Sequence, residues 1–159
     1  MRKWHAALGD LIPPVRLPSV RDGSLVDLRT GRGPCAIVSV HSATCEDCHA
    51  YVRSLGSIDQ EIAAWGGRLV VVAPGPAGMA APLHAATNAA FLVLADPDLR
   101  FASGQAGVLI ADEWGEVHMS AVAGETHAFP GPGEIVEWLR FLAIQCPECE
   151  GPEGDWRTI

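Results

Sequence analysis

Residues 35–73, CAIVSVHSATCEDCHAYVRSLGSIDQEIAAWGGRLVVVA, decide how this chain is read. The first seven residues are short, β-branched and almost continuously apolar, as a strand buried on both faces requires. From about Cys45 the period changes. Tyr51, Leu55, Ile58 and Ile62 follow one another at intervals of four, three and four, which predicts a single apolar helical stripe stopped by Gly66-Gly67. RLVVVA (68–73) then reads as a second buried strand. A strand, a helix and a second strand in this order make a βαβ unit, and the tetrapeptide Cys45-Glu46-Asp47-Cys48 sits where its first strand hands over to its helix.

Outward from this unit the pattern continues. An Ala-rich stretch at 78–90 predicts a helix with Pro82 in its first turn or breaking it. A brief strand follows at 91–95, then a helical turn from Asp96-Pro97-Asp98 to Phe101. GVLIA (107–111) and residues 116–122 predict a hairpin around Asp112-Glu113-Trp114-Gly115. Ile135, Trp138, Leu139 and Leu142 lie on one face of a final helix at 134–145. Upstream, Val15 and Leu17 alternate, as do Leu25, Val26 and Leu28, and Asp22-Gly23 between them signals a hairpin. Residues 1–9 suit a short helical arm. The expectation is an α/β fold, a central mixed sheet flanked by helices with an N-terminal β-hairpin extension. One domain takes residues 1–145, with 1–33 as its extension, and a polar tail takes 146–159.

Composition narrows the function. With 159 residues, 48% apolar and 19% charged, the chain is long and apolar enough for a proper core. A net charge of −8 argues against nucleic acid, whose phosphates need a basic surface, and against an anionic membrane. Asp10 and Pro13-Pro14 interrupt the N-terminal stretch and no run approaches the length of a membrane span. The cytoplasm is the expected compartment.

Four of the five cysteines form two C-x-x-C pairs, Cys45/Cys48 and Cys146/Cys149, and Cys35 is left over. Paired spacing of this kind reads as redox or metal chemistry rather than as a secreted disulfide framework. At the start of a helix, unpaired backbone N–H groups and the positive end of the macrodipole stabilise a thiolate. Cys45 is therefore the expected nucleophile, and Cys48, one turn inside, the resolving thiol. Glu46 and Asp47 place negative charge beside Cys45 and argue for a comparatively reducing couple; Thr44 and Asp47 also have the spacing of a helix-capping box. His41 ends the first strand and is the best-placed residue to assist Cys48, although capping or space-filling is its plainer role.

Beyond the tetrapeptide, GDLIPPVRLPSVRDGSLVDL, FLVLADPDLRF and GVLIADEWGEV make roughly 9–145 resemble the redoxin branch of the thioredoxin superfamily, which includes thioredoxin-like reductases and peroxiredoxins. The resemblance implies a thioredoxin-like fold and a thiol–disulfide oxidoreductase acting on protein disulfides, small disulfides or peroxide, with an unspecified electron donor. Three positions depart from the family. Thr44 stands where a tryptophan is usual, Asp47 where proline is common, and Ala106 where the family has a cis-proline facing the cysteines. The last change bears on substrate handling and eases metal capture by Cys45 and Cys48. Aligned as a peroxiredoxin, the chain offers Ser42 in the threonine slot if Cys45 is peroxidatic, and Cys45 itself in that slot if Cys48 is. Thiol peroxidase is thus the second reading. A non-catalytic module that binds a partner or zinc through its C-x-x-C pairs is the third.

Cys146 and Cys149 suit a tail redox pair, a zinc site or a contact in a homodimer. A zinc site shared with Cys45 and Cys48 within one chain is disfavoured, because a twelve-residue final helix carries the tail about 18 Å from the motif. No resident cofactor is expected otherwise. Cys-x-x-Cys-His at 45–49 also spells a haem-attachment pattern, but His49 reads as an ordinary helix residue. Cys35 reads as a buried apolar residue. Trp65, Trp114 and Trp138 are expected in the core or packed on turns, and His84, His118 and His127 show no metal-ligand spacing.

Overall fold

The computed structural model describes residues 7–29, 33–87, 91–101, 105–124 and 127–145. Among them no helix is long and apolar enough to cross a membrane. The elements are β1 (Arg16–Pro18), β2 (Leu25–Asp27), β3 (Cys35–Ser39), α1 (Glu46–Leu55), α2 (Asp59–Ala64), β4 (Arg68–Pro74), α3 (Ala77–Ala86), β5 (Leu92–Asp96), β6 (Gly107–Ala111), β7 (Val117–Val122) and α4 (Pro132–Ala143). Five strands form one mixed sheet in the order β5-β4-β3-β6-β7, and β1 and β2 form a separate hairpin. The expected fold is the observed one.

β3 is the central strand. It pairs parallel with β4, Ala36 opposite Leu69, and antiparallel with β6, Ala36 opposite Ile110. Every residue of β3 is buried, which explains the unbroken apolar run: with both faces covered there is no solvent side to alternate with. The period of two still sorts the side chains. Ala36, Val38 and Val40 join Val52, Leu55, Leu83, Ile135 and Leu139 in the larger core under the helices, whereas Cys35 and Ile37 join Ile12, Val15, Leu17, Leu28 and Phe101 on the other face. The described helices thus share one face, and the N-terminal segment covers the other. That segment is held at both margins of the sheet. Gly9 N–H donates to Val117 O at 2.9 Å, and Val20 N–H donates to Val93 O at 2.9 Å.

Several local expectations change. The stripe through Tyr51, Leu55, Ile58 and Ile62 is carried by two helices, because a 3₁₀ turn at Gly56–Ile58 separates α1 from α2. Glycine gives the helix least support at this point. Gly66 (φ +69) then ends α2 in the left-handed conformation that glycine adopts freely, with Gly66 and Gly67 N–H returning to Ala63 O and Ile62 O. Pro82 neither starts nor breaks α3. It sits inside the helix, one N–H donor short. α4 begins two residues earlier than predicted, with Pro132 in its first turn, where a missing N–H costs nothing.

The turn after β5 is not helical but is organised by one buried carboxylate. Asp96, 2% exposed, accepts from Arg100 N–H (2.8 Å) and Phe101 N–H (2.9 Å) and so seats Phe101 in the core. Trp65 and Trp114 are exposed rather than core; the Arg140 guanidinium lies 5.4 Å from the Trp65 ring centre. The expected arm at 1–9 falls mostly outside the described residues, and the C-terminal tail, with Cys146 and Cys149, lies wholly outside them.

Candidate active site

The chain leaves β3, turns through His41 to Thr44, and enters α1 at Cys45. Cys45 is the N-cap. Its backbone is extended (φ −71°, ψ 121°), and its Sγ accepts from Cys48 N–H at 3.4 Å. The sulfur itself occupies the place of a capping oxygen, so the capping box expected of Thr44 and Asp47 is replaced by a thiol cap. Thr44 instead pairs its hydroxyl with that of Ser42 at 3.0 Å, and Ser42 Oγ accepts from Thr44 N–H at 3.2 Å. Cys45 is partly exposed, whereas Cys48 is fully buried against the helical core. Burial, then the adjacent Cys45, pushes the Cys48 thiol up to about 11.

Two histidines converge on the sulfurs. His41 Nδ1 lies 3.4 Å from Cys48 Sγ, and His127 Nε2 lies 3.4 Å from Cys45 Sγ. The same two ring nitrogens are 3.2 Å apart. The other nitrogen of His127, Nδ1, is 3.6 Å from the exposed Asp47 carboxylate, a charge contact rather than a hydrogen bond. His41 is therefore at Cys48, as its position after the strand suggested. His127 was missed because it stands 82 positions from Cys45. The available signal was its place in a Gly/Pro-rich loop just before the final helix, which starts at the sulfur end of the sheet.

That loop is built to present a side chain. His127 has φ +53°, a conformation few non-glycine residues adopt, histidine among the readier ones. Its N–H donates to Gly124 O at 3.3 Å, and Phe129 N–H donates to its carbonyl at 2.9 Å. From α1, the Tyr51 hydroxyl donates to Pro130 O at 2.7 Å, and the Tyr51 ring stacks on Phe129 with centres 4.1 Å apart. Burial, and then Glu134, hold the Tyr51 hydroxyl protonated well above its ordinary range. One helix thus carries both cysteines and the anchor for the loop that carries His127.

The remaining expected residues lie around this centre. Ala106 is buried, accepts from Ala123 N–H at 2.9 Å, and precedes Gly107, the partner of Ser39 at the end of β3. No cis peptide bond occurs among the described residues. Glu46 is exposed in the first turn of α1 and, with Thr44, Asp47 and Arg53, lines a shallow cleft beside it. His49 Nε2 lies 2.6 Å from Ala43 O and so pins the turn before the motif. Cys35 is buried on the other face of the sheet, where desolvation raises its thiol and Arg68 only partly offsets this. His118 pairs with Asp112 at 2.9 Å, and the same carboxylate also accepts from Trp114 and Glu116 N–H, a lock on the β6–β7 turn.

A mixed sheet of this order, with a C-x-x-C pair at the mouth of the β3–α1 junction, has the thioredoxin-like fold. Solved structures agree. The chain is similar to the peroxidoxin BcpB of Mycobacterium tuberculosis, with a TM-score of 0.73 and 15% identity over 89% of this chain and 100% of that one. Reduced Prx3 of Vibrio vulnificus in complex with H₂O₂ gives 0.71 and 19% over 84% and 98%. A candidate disulfide isomerase of Bacteroides thetaiotaomicron gives 0.70 and 12% over 90% and 94%. No protein-family model and no curated protein matches the sequence.

Proposed function

We propose that the protein is a thiol–disulfide oxidoreductase with Cys45 as nucleophile and Cys48 as resolving thiol. The observation that carries this reading is the pairing of a partly exposed Cys45 sulfur, capping a helix and 3.4 Å from a histidine nitrogen, with a buried Cys48 sulfur within 4.8 Å. The Cys45 thiolate is stabilised by the Cys48 N–H, the helix N-terminus and His127. It attacks one sulfur of a substrate disulfide, forming a Cys45–S–S–R bond and expelling the second sulfur as a thiolate that His127 can protonate. Cys48 then loses its proton to His41 and attacks Cys45, expelling RS⁻ and closing Cys45–S–S–Cys48. Two electrons pass from the dithiol to the substrate, and an external dithiol restores the pair. Such cycling suits a reducing compartment, and we place the protein in the cytoplasm.

A second reading, thiol peroxidase, is favoured by the peroxiredoxins among the similar structures. In it the Cys45 thiolate displaces hydroxide from peroxide, becomes a sulfenic acid, and is resolved by Cys48 with loss of water. Against it, Ser42 is the only hydroxyl in the family's threonine slot, and Val38 stands in the proline slot. Insulin reduction driven by dithiothreitol tests the choice. Activity lost in Cys45→Ser supports exchange; no insulin reduction, with rapid peroxide consumption and a sulfenic acid trapped on Cys45, replaces exchange by peroxidase.

A further inference from the structure

Thiol exchange uses the Cys45–His127 and Cys48–His41 contacts singly, but it has no use for the third contact, between the two histidines. His127 Nε2 faces both Cys45 Sγ (3.4 Å) and His41 Nδ1 (3.2 Å), and His41 Nδ1 faces both His127 Nε2 and Cys48 Sγ (3.4 Å). All four atoms lie within 4.8 Å of one another. An imidazole nitrogen has one in-plane proton or one lone pair, so it can satisfy only one of these directions at a time. Convergence of all four on one centre is what a cation requires.

Three of the six edges can be compared with a tetrahedral ion. A tetrahedral zinc ion with Zn–S of about 2.3 Å and Zn–N of about 2.05 Å sets S···N edges of about 3.6 Å and an N···N edge of about 3.4 Å. The two S···N distances of 3.4 Å and the N···N distance of 3.2 Å fall just inside those edges. Two thiolates with two imidazoles suit zinc and disfavour magnesium or calcium, which take oxygen ligands. The outer shell is compatible: the other nitrogen of His127 lies 3.6 Å from the exposed Asp47 carboxylate, which a small rotation would bring into the carboxylate–histidine hydrogen bond that orients metal-bound imidazole.

We propose that His41, Cys45, Cys48 and His127 form a four-coordinate zinc site in the dithiol form of the protein. Binding one Zn²⁺ displaces whatever thiol protons the two sulfurs still hold to solvent and leaves a neutral Zn(S⁻)₂(His)₂ centre. An external disulfide R–S–S–R reverses it: Cys45–S–S–Cys48 forms, two RS⁻ depart with the two electrons, and Zn²⁺ is released. Metal and exchange chemistry use the same sulfurs and exclude one another. The site does not depend on the exchange reading, since metal binding is followed by a spectrum and exchange by insulin reduction, and each can fail alone.

The test uses the full chain carrying Cys146→Ser and Cys149→Ser, so that the tail pair cannot bind the metal. Titration of the reduced, metal-free protein with Co²⁺ is expected to give one equivalent with an intense tetrahedral d–d envelope and thiolate-to-cobalt charge transfer, displaced by Zn²⁺. His41→Ala and His127→Ala each lower Zn²⁺ affinity about tenfold or more, and Asp47→Asn lowers it by up to about tenfold. His41→Gln and His127→Gln, which keep side-chain bulk, give the same losses with unchanged far-UV dichroism. His118→Ala, at the opposite end of the sheet, leaves affinity unchanged. Oxidised glutathione releases one Zn²⁺ per chain to a chromogenic chelator. A weak octahedral cobalt spectrum, or zinc affinity unmoved by both glutamine variants, would overturn the assignment and leave a hydrogen-bonded Cys–His–His–Cys chain.

Discussion

Replacing His127 by alanine and, separately, by glycine divides strain from function at the site. At φ +53° an alanine keeps the left-handed cost of about 1 kcal/mol, whereas glycine escapes it. Both variants lose the histidine's contacts with Cys45, His41 and Asp47, a common loss of about 0.5–1.5 kcal/mol for partly exposed partners. The glycine protein is therefore expected to be more stable than the alanine protein by about 1 kcal/mol, or about 2–4 °C in Tm for a domain of this size. Reactivity follows the other logic. A hydrogen bond to a charged sulfur contributes about 1.5 kcal/mol at the weaker end of its range, and the greater nucleophilicity of the thiolate that loses it offsets about half, so alkylation of Cys45 at neutral pH slows about fourfold in both variants. Thermal melts and iodoacetamide kinetics in a chelator-treated sample read the two quantities separately. Equal stability of the two variants would refute the strained placement of His127. Unchanged alkylation in both would refute its engagement with Cys45.

Cys48 makes stability depend on pH in the alkaline range. Its folded thiol is raised from 9.0 to about 11, so the folded state holds a proton that the unfolded state has lost. Stability is intact below 9.0 and falls as pH rises towards about 11. Urea midpoints of metal-free protein across this window should decline less steeply in Cys48→Ala than in the wild type, the residual slope coming from Cys35 and Tyr51, which are raised in the same direction. Tyr51→Phe removes the hydroxyl that holds Pro130 O; a loss of about 0.5–1.5 kcal/mol is expected by urea denaturation, together with slower Cys45 alkylation as the His127 loop loosens. Asp96→Ala leaves the Arg100 and Phe101 N–H groups without their carboxylate, and a destabilisation of about 2–3 kcal/mol in urea is expected, with alkylation of Cys45 unchanged.

The fold was legible because the signals that specify it are local. A β-branched run such as 35–40 has no solvent face to alternate with. The four-three-four stripe through Tyr51, Leu55, Ile58 and Ile62 carries a helical period even though Gly56–Ile58 interrupts the helix, because a 3₁₀ turn barely disturbs which side faces the sheet. For the same reason the position of Cys45 and Cys48 at a strand-to-helix junction was readable. Pro82 misled because packing of α3 against the sheet outweighs the hydrogen bond that proline removes, and Trp65 misled because a large apolar residue at a helix end can stay exposed beneath an arginine.

By itself, then, the sequence determined the strand and helix periods and the two sulfurs of the motif, since each depends on residues within a few positions of one another. Only the tertiary structure decided that Cys45 caps its own helix and that His41 and His127 meet at 3.2 Å between the sulfurs. That meeting depends on sheet order, on the register of β6 with β7, and on a left-handed residue in a loop pinned by Tyr51. Such long-range closure leaves no period in the chain, because the distance between two side chains across a turn is set by the summed geometry of everything folded between them.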